Sequence, residues 1–275
     1  MENLTESHYG AFEHSWRYMT THYTRFQISV YISACFHIVS FFLLCTPAFI
    51  FQFIPFMDRY KIQQDKPTTY GQQWQCFKYV MYNQFLVQTP LIVGNYFYCQ
   101  YFNVSFDFDD IPQWYTLLAQ CFVSLVIEDT WHYFVHRGLH HKSIYQYVHK
   151  VHHNFKAPFG MVAEYTHPVE TLGLGLGFAW GVLLFGNHLF FIWAWMLVRL
   201  LEVTDVHSGY TVSLNPLHLF PFYGGAKFHD FHHKNFHGNY APTFTWWDKM
   251  LGTEMNYDED YDTEHDTVQQ MKKTK

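Results

Sequence analysis

WYTLLAQCFVSLVI (residues 114–127) runs without a break into EDTWHYFVHR (residues 128–137). The first part is apolar, and the second places His132 and His136 four residues apart. On a helix, positions i and i+4 share a face, so both imidazoles project the same way. An apolar segment that delivers paired imidazoles at its end sets the reading of the rest. It predicts helices in a membrane, with metal-ligating chemistry at one edge.

Three further apolar stretches agree: 28–56, broken by Pro47 and Pro55, 79–102, with Pro90 inside, and 172–203. A bilayer span takes about 20 mostly apolar residues. Only 15% of the 275 residues are charged, against about 25% in soluble domains. The mean hydropathy of −0.14 is pulled down by Tyr, Trp and His rather than by charge. A net charge of −6 offers no basic face for nucleic acid. Cys35, Cys45, Cys76, Cys99 and Cys121 form no CxxC and read as small buried residues, not a disulfide framework. The first 25 residues are too polar for a cleavable signal.

Loop charge predicts orientation. Segment 58–78 carries Arg59, Lys61, Lys66 and Lys78, whereas 103–113 carries Asp107, Asp109 and Asp110 and no Lys or Arg. By the positive-inside rule the first is cytosolic and the second faces the other side. The chain then returns to the cytosol at Glu128, where Arg137, Lys142, Lys150 and Lys156 follow. Asn103-Val104-Ser105 is a glycosylation sequon on the non-cytosolic side. Gly186-Asn187 interrupts 172–203, which reads as a short helical hairpin that dips into the bilayer and returns. Gly173, Gly177 and Gly181, four apart, suit close helix packing. The side of the N-terminus stays open, because a single first pass and Arg17 and Arg25 point opposite ways. The resulting organisation is an N-terminal segment (1–27), transmembrane helices (28–127), a histidine-rich region (128–253) and an acidic tail (254–275).

Fifteen of the 20 histidines fall between His132 and His237. After the HxxxH pair come two HxxHH triplets, His149/His152/His153 and His229/His232/His233. Structural zinc would take four ligands and usually some thiolates. Eight imidazoles exceed one ion's needs, so a dinuclear centre is the natural reading. Imidazole suits zinc, copper, iron and nickel alike, and ligand type leaves the metal open. Ligating imidazoles usually give their other N–H to a carboxylate or carbonyl. Glu128, Asp129, Glu202, Asp205 and Asp230 flank the motifs as candidates for that supporting role.

HxxxH, HxxHH and HxxHH between membrane segments resemble the histidine boxes of the fatty acid hydroxylase/sterol desaturase superfamily. The surrounding residues narrow the resemblance: Glu128 to Arg137, Ala157-Pro-Phe-Gly160, Glu164-Tyr-Thr-His-Pro168, Asp205-Val-His-Ser-Gly-Tyr210, Asn215-Pro-Leu217 and Thr243-Phe-Thr-Trp-Trp-Asp248 are similar to the methylsterol monooxygenase (C4-methyl sterol oxidase) family. The resemblance covers about residues 110–253. It implies an all-α integral membrane protein of the endoplasmic reticulum, its transmembrane helices capped by a cytosolic helical metal-binding domain. It implies two non-heme iron ions, and oxidation of a sterol C4 methyl group with molecular oxygen. Electrons would come from NAD(P)H through cytochrome b5 and its reductase. It carries over the eight box histidines as ligands, His207 as a further one and His167 as a tenth candidate. His140, His141, His218 and His237 are assigned surface or supporting roles. Lys272-Lys-Thr-Lys275 resembles a dilysine retrieval signal. Within the same chemistry the alternatives are a sterol C5-desaturase or a lipid hydroxylase. A membrane metal transporter is the alternative of a different class, and only His37 and His188 lie well inside apolar runs to serve it.

Overall fold

The structure is a computed structural model that describes residues 10–212, 215–257 and 261. Most of the acidic stretch 258–266 and the terminal dilysine lie outside the described residues. Regular structure among the described residues is helical. Helix α1 is Ala11–His22 and α2 is Arg25–Phe51. Helix α3, residues 70–101, joins Tyr70–Asn83, a π turn at Gln84–Gln88 and Thr89–Tyr101. Then come α4 (Trp114–Leu139), α5 (Pro168–Phe185), α6 (Leu189–Val206), α7 (Gly225–Asn235) and α8 (Trp246–Leu251).

Local chemistry places several boundaries. The loop expected at 58–78 yields to helix at Tyr70, because Thr69 and Gln72 form a reciprocal capping box. Pro90 has no N–H to donate, and its ring crowds the carbonyl four residues back. The π turn before it absorbs the conflict: the Thr89 N–H and hydroxyl both donate to the Gln84 carbonyl, the hydroxyl at 2.8 Å. The membrane segment and the first histidine pair are one helix, the 26 residues of α4, with no break at Glu128.

The hairpin reaches deeper than its sequence suggests. It runs from Pro168 to Val206 rather than 172–203, with 18 residues in each arm, about 27 Å at 1.5 Å per residue. Polar residues at both ends are helical but invisible to an apolar-run criterion: Glu170 and Glu202 are buried and Asp205 is partly buried. Its turn lies on the 103–113 loop: the Ser105 N–H donates to the Asn187 carbonyl (2.8 Å) and the Leu189 N–H to the Ser105 carbonyl (3.0 Å). Helix α1 joins that end. Trp16 donates its indole N–H to the Phe106 carbonyl (2.8 Å), and Arg17 pairs with Asp109 (2.7 Å). The N-terminal helix therefore shares the 103–113 side, which loop charge alone left open.

Helices α2 and α5 are long and apolar enough to cross a membrane. The surface says the same. Leu43, Phe85, Phe97 and Leu183 are each more than half exposed, a covering that suits lipid better than water. The interior combines apolar clusters, such as Leu125, Leu189, Phe191 and Trp195, with many polar side chains. His37, Asn83, Gln84, Glu128, Asp129, Glu170 and Glu202 are all buried. His37 and Gln84 both reach Glu164, and Asn83 donates to the Thr166 carbonyl (2.7 Å).

Helices α4 and α5 pack closely because glycines face α4. A Cβ at Gly177 would lie 2.9 Å from Trp131, and one at Gly181 would lie 2.8 Å from Ser124 and Trp195. Gly175 has open space. Overpacking costs about 1–3 kcal/mol, so Gly181→Ala is expected to lower the thermal midpoint of the solubilised protein. Gly175→Ala, which gains helix propensity without a clash, is expected to leave it unchanged or raise it.

Candidate metal centre

Four segments far apart in sequence bring their histidines to one end of the bundle. Helix α4 contributes His132 and His136, and His140 follows one turn on as its C-cap. A 3₁₀ turn, His149–Asn154, carries His149, His152 and His153. His207 caps the C-terminus of α6, and α7 supplies His229, His232 and His233. They sort into two groups, His136/His140/His149/His153/His232 and His152/His207/His229/His233. Within each group the ring nitrogens lie within 4.8 Å of one another.

The rings are held from behind. His136 Nδ1 donates to the Tyr240 carbonyl (2.7 Å) and His232 Nδ1 to that of Gly238 (2.8 Å). His207 Nδ1 donates to Val203 (2.7 Å), His152 Nδ1 to Tyr165 (3.3 Å) and His233 Nδ1 to Phe155 (3.0 Å). A carbonyl oxygen only accepts, so each of these rings carries its proton on Nδ1 and presents a bare Nε2. The carbonyls after α7 are turned into place by left-handed backbone at Phe236, Gly238 and Asn239. At Gly238 a Cβ would meet the Thr253 carbonyl at 2.7 Å. Asp248 pins the same strip by accepting the N–H groups of Tyr240 (3.0 Å) and Ala241 (2.7 Å).

The bare nitrogens face each other. His152 Nε2 lies 3.2 Å from His207 Nε2, though both rings hold their protons on the far side. His136 Nε2 is 3.0 Å from His149 Nε2, and His140 Nε2 is 3.1 Å from His232 Nε2. His229 Nδ1 and His233 Nε2 are buried with no partner, each a cost of about 1–3 kcal/mol. Burial, with neighbouring imidazoles adding to it, holds His136, His149, His153, His207, His229, His232 and His233 well below the usual histidine range. Burial also pushes His140 and His152 down to about 4. Neutral imidazoles with opposed lone pairs repel unless a cation lies among them. Metal–nitrogen bonds of about 2.1 Å at right angles separate neighbouring nitrogens by about 3.0 Å, close to the spacing seen. The residues fit metal ions.

A small cavity of about 40 Å³ touches both groups, through His136 and His149 on one side and His152, His207 and His229 on the other. His132 lines it from outside both groups, and His132 Nδ1 bonds Glu128 (3.0 Å). Leu174, Val203, Val206 and Pro242 give it an apolar wall, and Glu170, Arg199 and Glu202 a charged one. The buried Arg199 bridges Glu128 (2.9 Å) and Glu202.

Of the carboxylates proposed from sequence to support the ligands, Glu128 contacts a box histidine. Asp129 instead accepts the N–H groups of Thr243 (3.2 Å) and Phe244 (2.9 Å). Glu202 holds Arg199. Asp205 takes the Tyr223 hydroxyl (2.6 Å) and His218 (3.2 Å), and Asp230 takes the Tyr261 hydroxyl (2.5 Å) and Gln63 (2.7 Å). His167 caps α5 by accepting the Val169 N–H (3.2 Å) and joins neither group. His140, given a surface or supporting role from sequence, lies inside the first group. Its signal was present as the third member of an i, i+4, i+8 series that ends at the C-cap of α4. Glu170 was missed too. It bonds His149 Nδ1 (2.9 Å), and only its place in the first turn of an apolar helix marks it. Arg199, a lone charge in the apolar run of α6, carried the signal that intramembrane ionisable residues carry.

Two buried imidazole groups at one end of a lipid-surfaced helical bundle define a membrane metalloprotein, and the fatty acid hydroxylase family model matches residues 121–253. Methylsterol monooxygenase 1 of Gallus gallus is 57% identical over 263 residues, covering 96% of this chain and 89% of the relative. Its Rattus norvegicus namesake is 55% identical over 246 residues, covering 90% and 84%. A very-long-chain aldehyde decarbonylase of Oryza sativa is 37% identical over 248 residues, covering 89% and 92%. The chain belongs to the methylsterol monooxygenase family. No solved structure matches it.

Loss of a residue that orients a metal-bound imidazole typically costs 10–100-fold in affinity. Glu170→Leu is expected to weaken metal retention by that factor, read as bound metal after dialysis against graded chelator. His218→Ala should retain the wild-type content. Stripping the metal should lower the thermal midpoint and reloading should restore it, because the ions bind the folded site.

Proposed function

We propose that the protein oxidises the C4 methyl group of 4-methyl and 4,4-dimethylsterols to alcohol, aldehyde and acid with molecular oxygen. The observation that carries this reading is the pair of buried imidazole groups sharing one cavity, in a chain whose relatives bear the name methylsterol monooxygenase. Two non-heme iron ions, one in each group, would be held by His136, His140, His149, His153 and His232 and by His152, His207, His229 and His233. His132, tethered to Glu128 at the cavity edge and outside both groups, would be the remaining ligand. When bound, the iron supplies the oxygen activation and C–H oxidation that no side chain can perform.

The chain's own contribution is positional. Carbonyls of Tyr240, Gly238, Tyr165, Phe155 and Val203 keep protons on Nδ1 and leave Nε2 free to bind. Leu174, Val203, Val206 and Pro242 offer a methyl group an apolar seat beside the histidines. Arg199, fixed between Glu128 and Glu202, sets a positive charge in the opposite wall.

The family resemblance supports a multi-pass protein of the endoplasmic reticulum, loop charge puts the histidine end and C-terminus in the cytosol, and the contacts of α1 with Phe106 and Asp109 put α1 on the other side. Electrons would then arrive from NAD(P)H through cytochrome b5 and its reductase at the histidine end. Membranes holding the protein, given a 4,4-dimethylsterol, NADH, oxygen and cytochrome b5, are expected to yield oxygen-dependent C4-oxidised sterols by mass spectrometry. His152→Ala and His140→Ala should each abolish them. A sterol Δ5 product, or turnover of a long-chain aldehyde with no C4 product, would overturn the reading.

A further inference from the structure

Arg199 stands in the wall of the histidine cavity with donors to spare. A guanidinium carries more N–H groups than two carboxylates use. Arg199 Nη1 donates to Glu202, and Nη2 lies 2.9 Å from Glu128. Among the described residues no other group accepts from it. The side chain is 12% exposed and lines the cavity, so a free N–H can meet what enters. Glu202, one turn on, binds Arg199 through Oε2 and keeps Oε1 buried with no partner. A donor and an acceptor, both unused, therefore stand side by side.

This pair adjoins the metal centre. Glu128 Oε1 lies 3.0 Å from His132 Nδ1 and 2.9 Å from Arg199 Nη2, so one oxygen separates the guanidinium from a box histidine. Glu128 and Glu202 already balance the positive charge, and a further anion gains little there. A neutral group that accepts one hydrogen bond and donates another fits better. The other polar groups of the wall, histidines aside, match such a group less well. Thr166 Oγ1 is bonded to Thr171 Oγ1 (2.7 Å). Glu170 holds His149 through Oε1, and its unpartnered Oε2 can only accept.

We propose that Arg199 and Glu202 bind the hydroxyl of the sterol: a free N–H of Arg199 donates to its oxygen, and its O–H donates to Glu202 Oε1. The inference rests on the reading above that a C4-methylsterol is the substrate. A sterol is a flat apolar body with one hydroxyl, on the carbon next to C4. The residues that hold the hydroxyl must therefore stand beside the point of oxidation. Arg199 and Glu202 do so, because they line the same cavity as the histidines. That cavity, about 40 Å³, takes a methyl group and not the fused rings, since one water already claims about 30 Å³ of liquid. Leu174 of α5 and Val203 of α6 are partly exposed, whereas Val206 and Pro242 are buried, and the ring edge enters past the first pair. An apolar lipid without the hydroxyl leaves donor and acceptor unpaired, which is how a polar site rejects an analogue that lacks the group.

The test uses the full-length, metal-loaded protein in nanodiscs with cytochrome b5, its reductase and NADH. Three 4,4-dimethylsterols are compared, which carry a hydroxyl, a ketone or only hydrogen at C3. In kcat/KM the wild type is expected to favour the hydroxyl over the deoxy sterol by about tenfold or more. The ketone, which accepts from Arg199 but gives nothing to Glu202, should fall between them. In metal-replete Arg199→Met the ketone should lose its advantage over the deoxy sterol. Gly181→Ala, a packing lesion that touches neither residue, should keep the wild-type ratios. A ketone no better than the deoxy sterol in wild type, or still better in metal-replete Arg199→Met, would overturn Arg199 as the donor. A ketone as good as the hydroxyl would remove Glu202 as the acceptor. Should Arg199→Met fail to fold or to hold metal, a 4,4-dimethylsterol with a diazirine at C3 decides on the wild-type protein. Adducts within 199–203 support the proposal, and adducts confined elsewhere refute it. Wild-type protein that oxidises all three sterols equally loses the hydroxyl site alone. Wild-type protein that yields no C4-oxidised product from the hydroxyl sterol loses the functional reading.

Discussion

Bare imidazole nitrogens pointed at each other across about 3 Å, in a place water does not reach, are the constraint on which this structure turns. His152 and His207 show it most plainly, because both rings hand their protons to backbone carbonyls and meet lone pair to lone pair. Such a contact is repulsive in an empty site and strongly attractive around a cation. The rest of the histidine end follows. The left-handed turns after α7, the capped end of α6 and the 3₁₀ form of His149–Asn154 serve to aim carbonyls and rings at two points.

The bundle that holds these points keeps apolar side chains on its outside and charged ones among the apolar clusters of its core. Phe85 and Leu43 face outward, whereas Arg199, Glu128 and Glu202 sit inside. A buried ion trio of this kind stabilises little on balance, yet removing one member leaves an uncompensated charge at about 3–5 kcal/mol. Its placement in the cavity wall ties helix packing to the metal site: α4 supplies Glu128 and the first histidines, and α6 supplies Arg199, Glu202 and His207. Gly177 and Gly181 let α5 close against α4, which brings Glu170 to His149.

The parts legible in the sequence were periodic or compositional. HxxxH and the HxxHH triplets announce themselves because helical spacing puts imidazoles on one face, and apolar runs mark helices by length. Contacts between distant residues were not legible. Asp205 and Asp230 flank the motifs in sequence, yet they turn to Tyr223 and Tyr261. Glu170, farther along the chain, reaches His149 because α5 begins beside the 3₁₀ turn. The hairpin's depth was hidden for a related reason: its polar ends are buried against protein, and hydropathy treats them as loop.

The sequence by itself determined that this is a helical membrane protein with clustered imidazoles and the motifs of its family. Those properties reside in residue type and in spacings of three or four, which a helix converts directly into a shared face. Tertiary structure decided how the histidines divide between two groups, that His140 belongs with them and His167 does not, which carbonyls hold the rings, and on which side α1 lies. Each of these depends on where separate helices meet, and meeting is settled by packing and by electrostatics across space, which one chain read in order does not record.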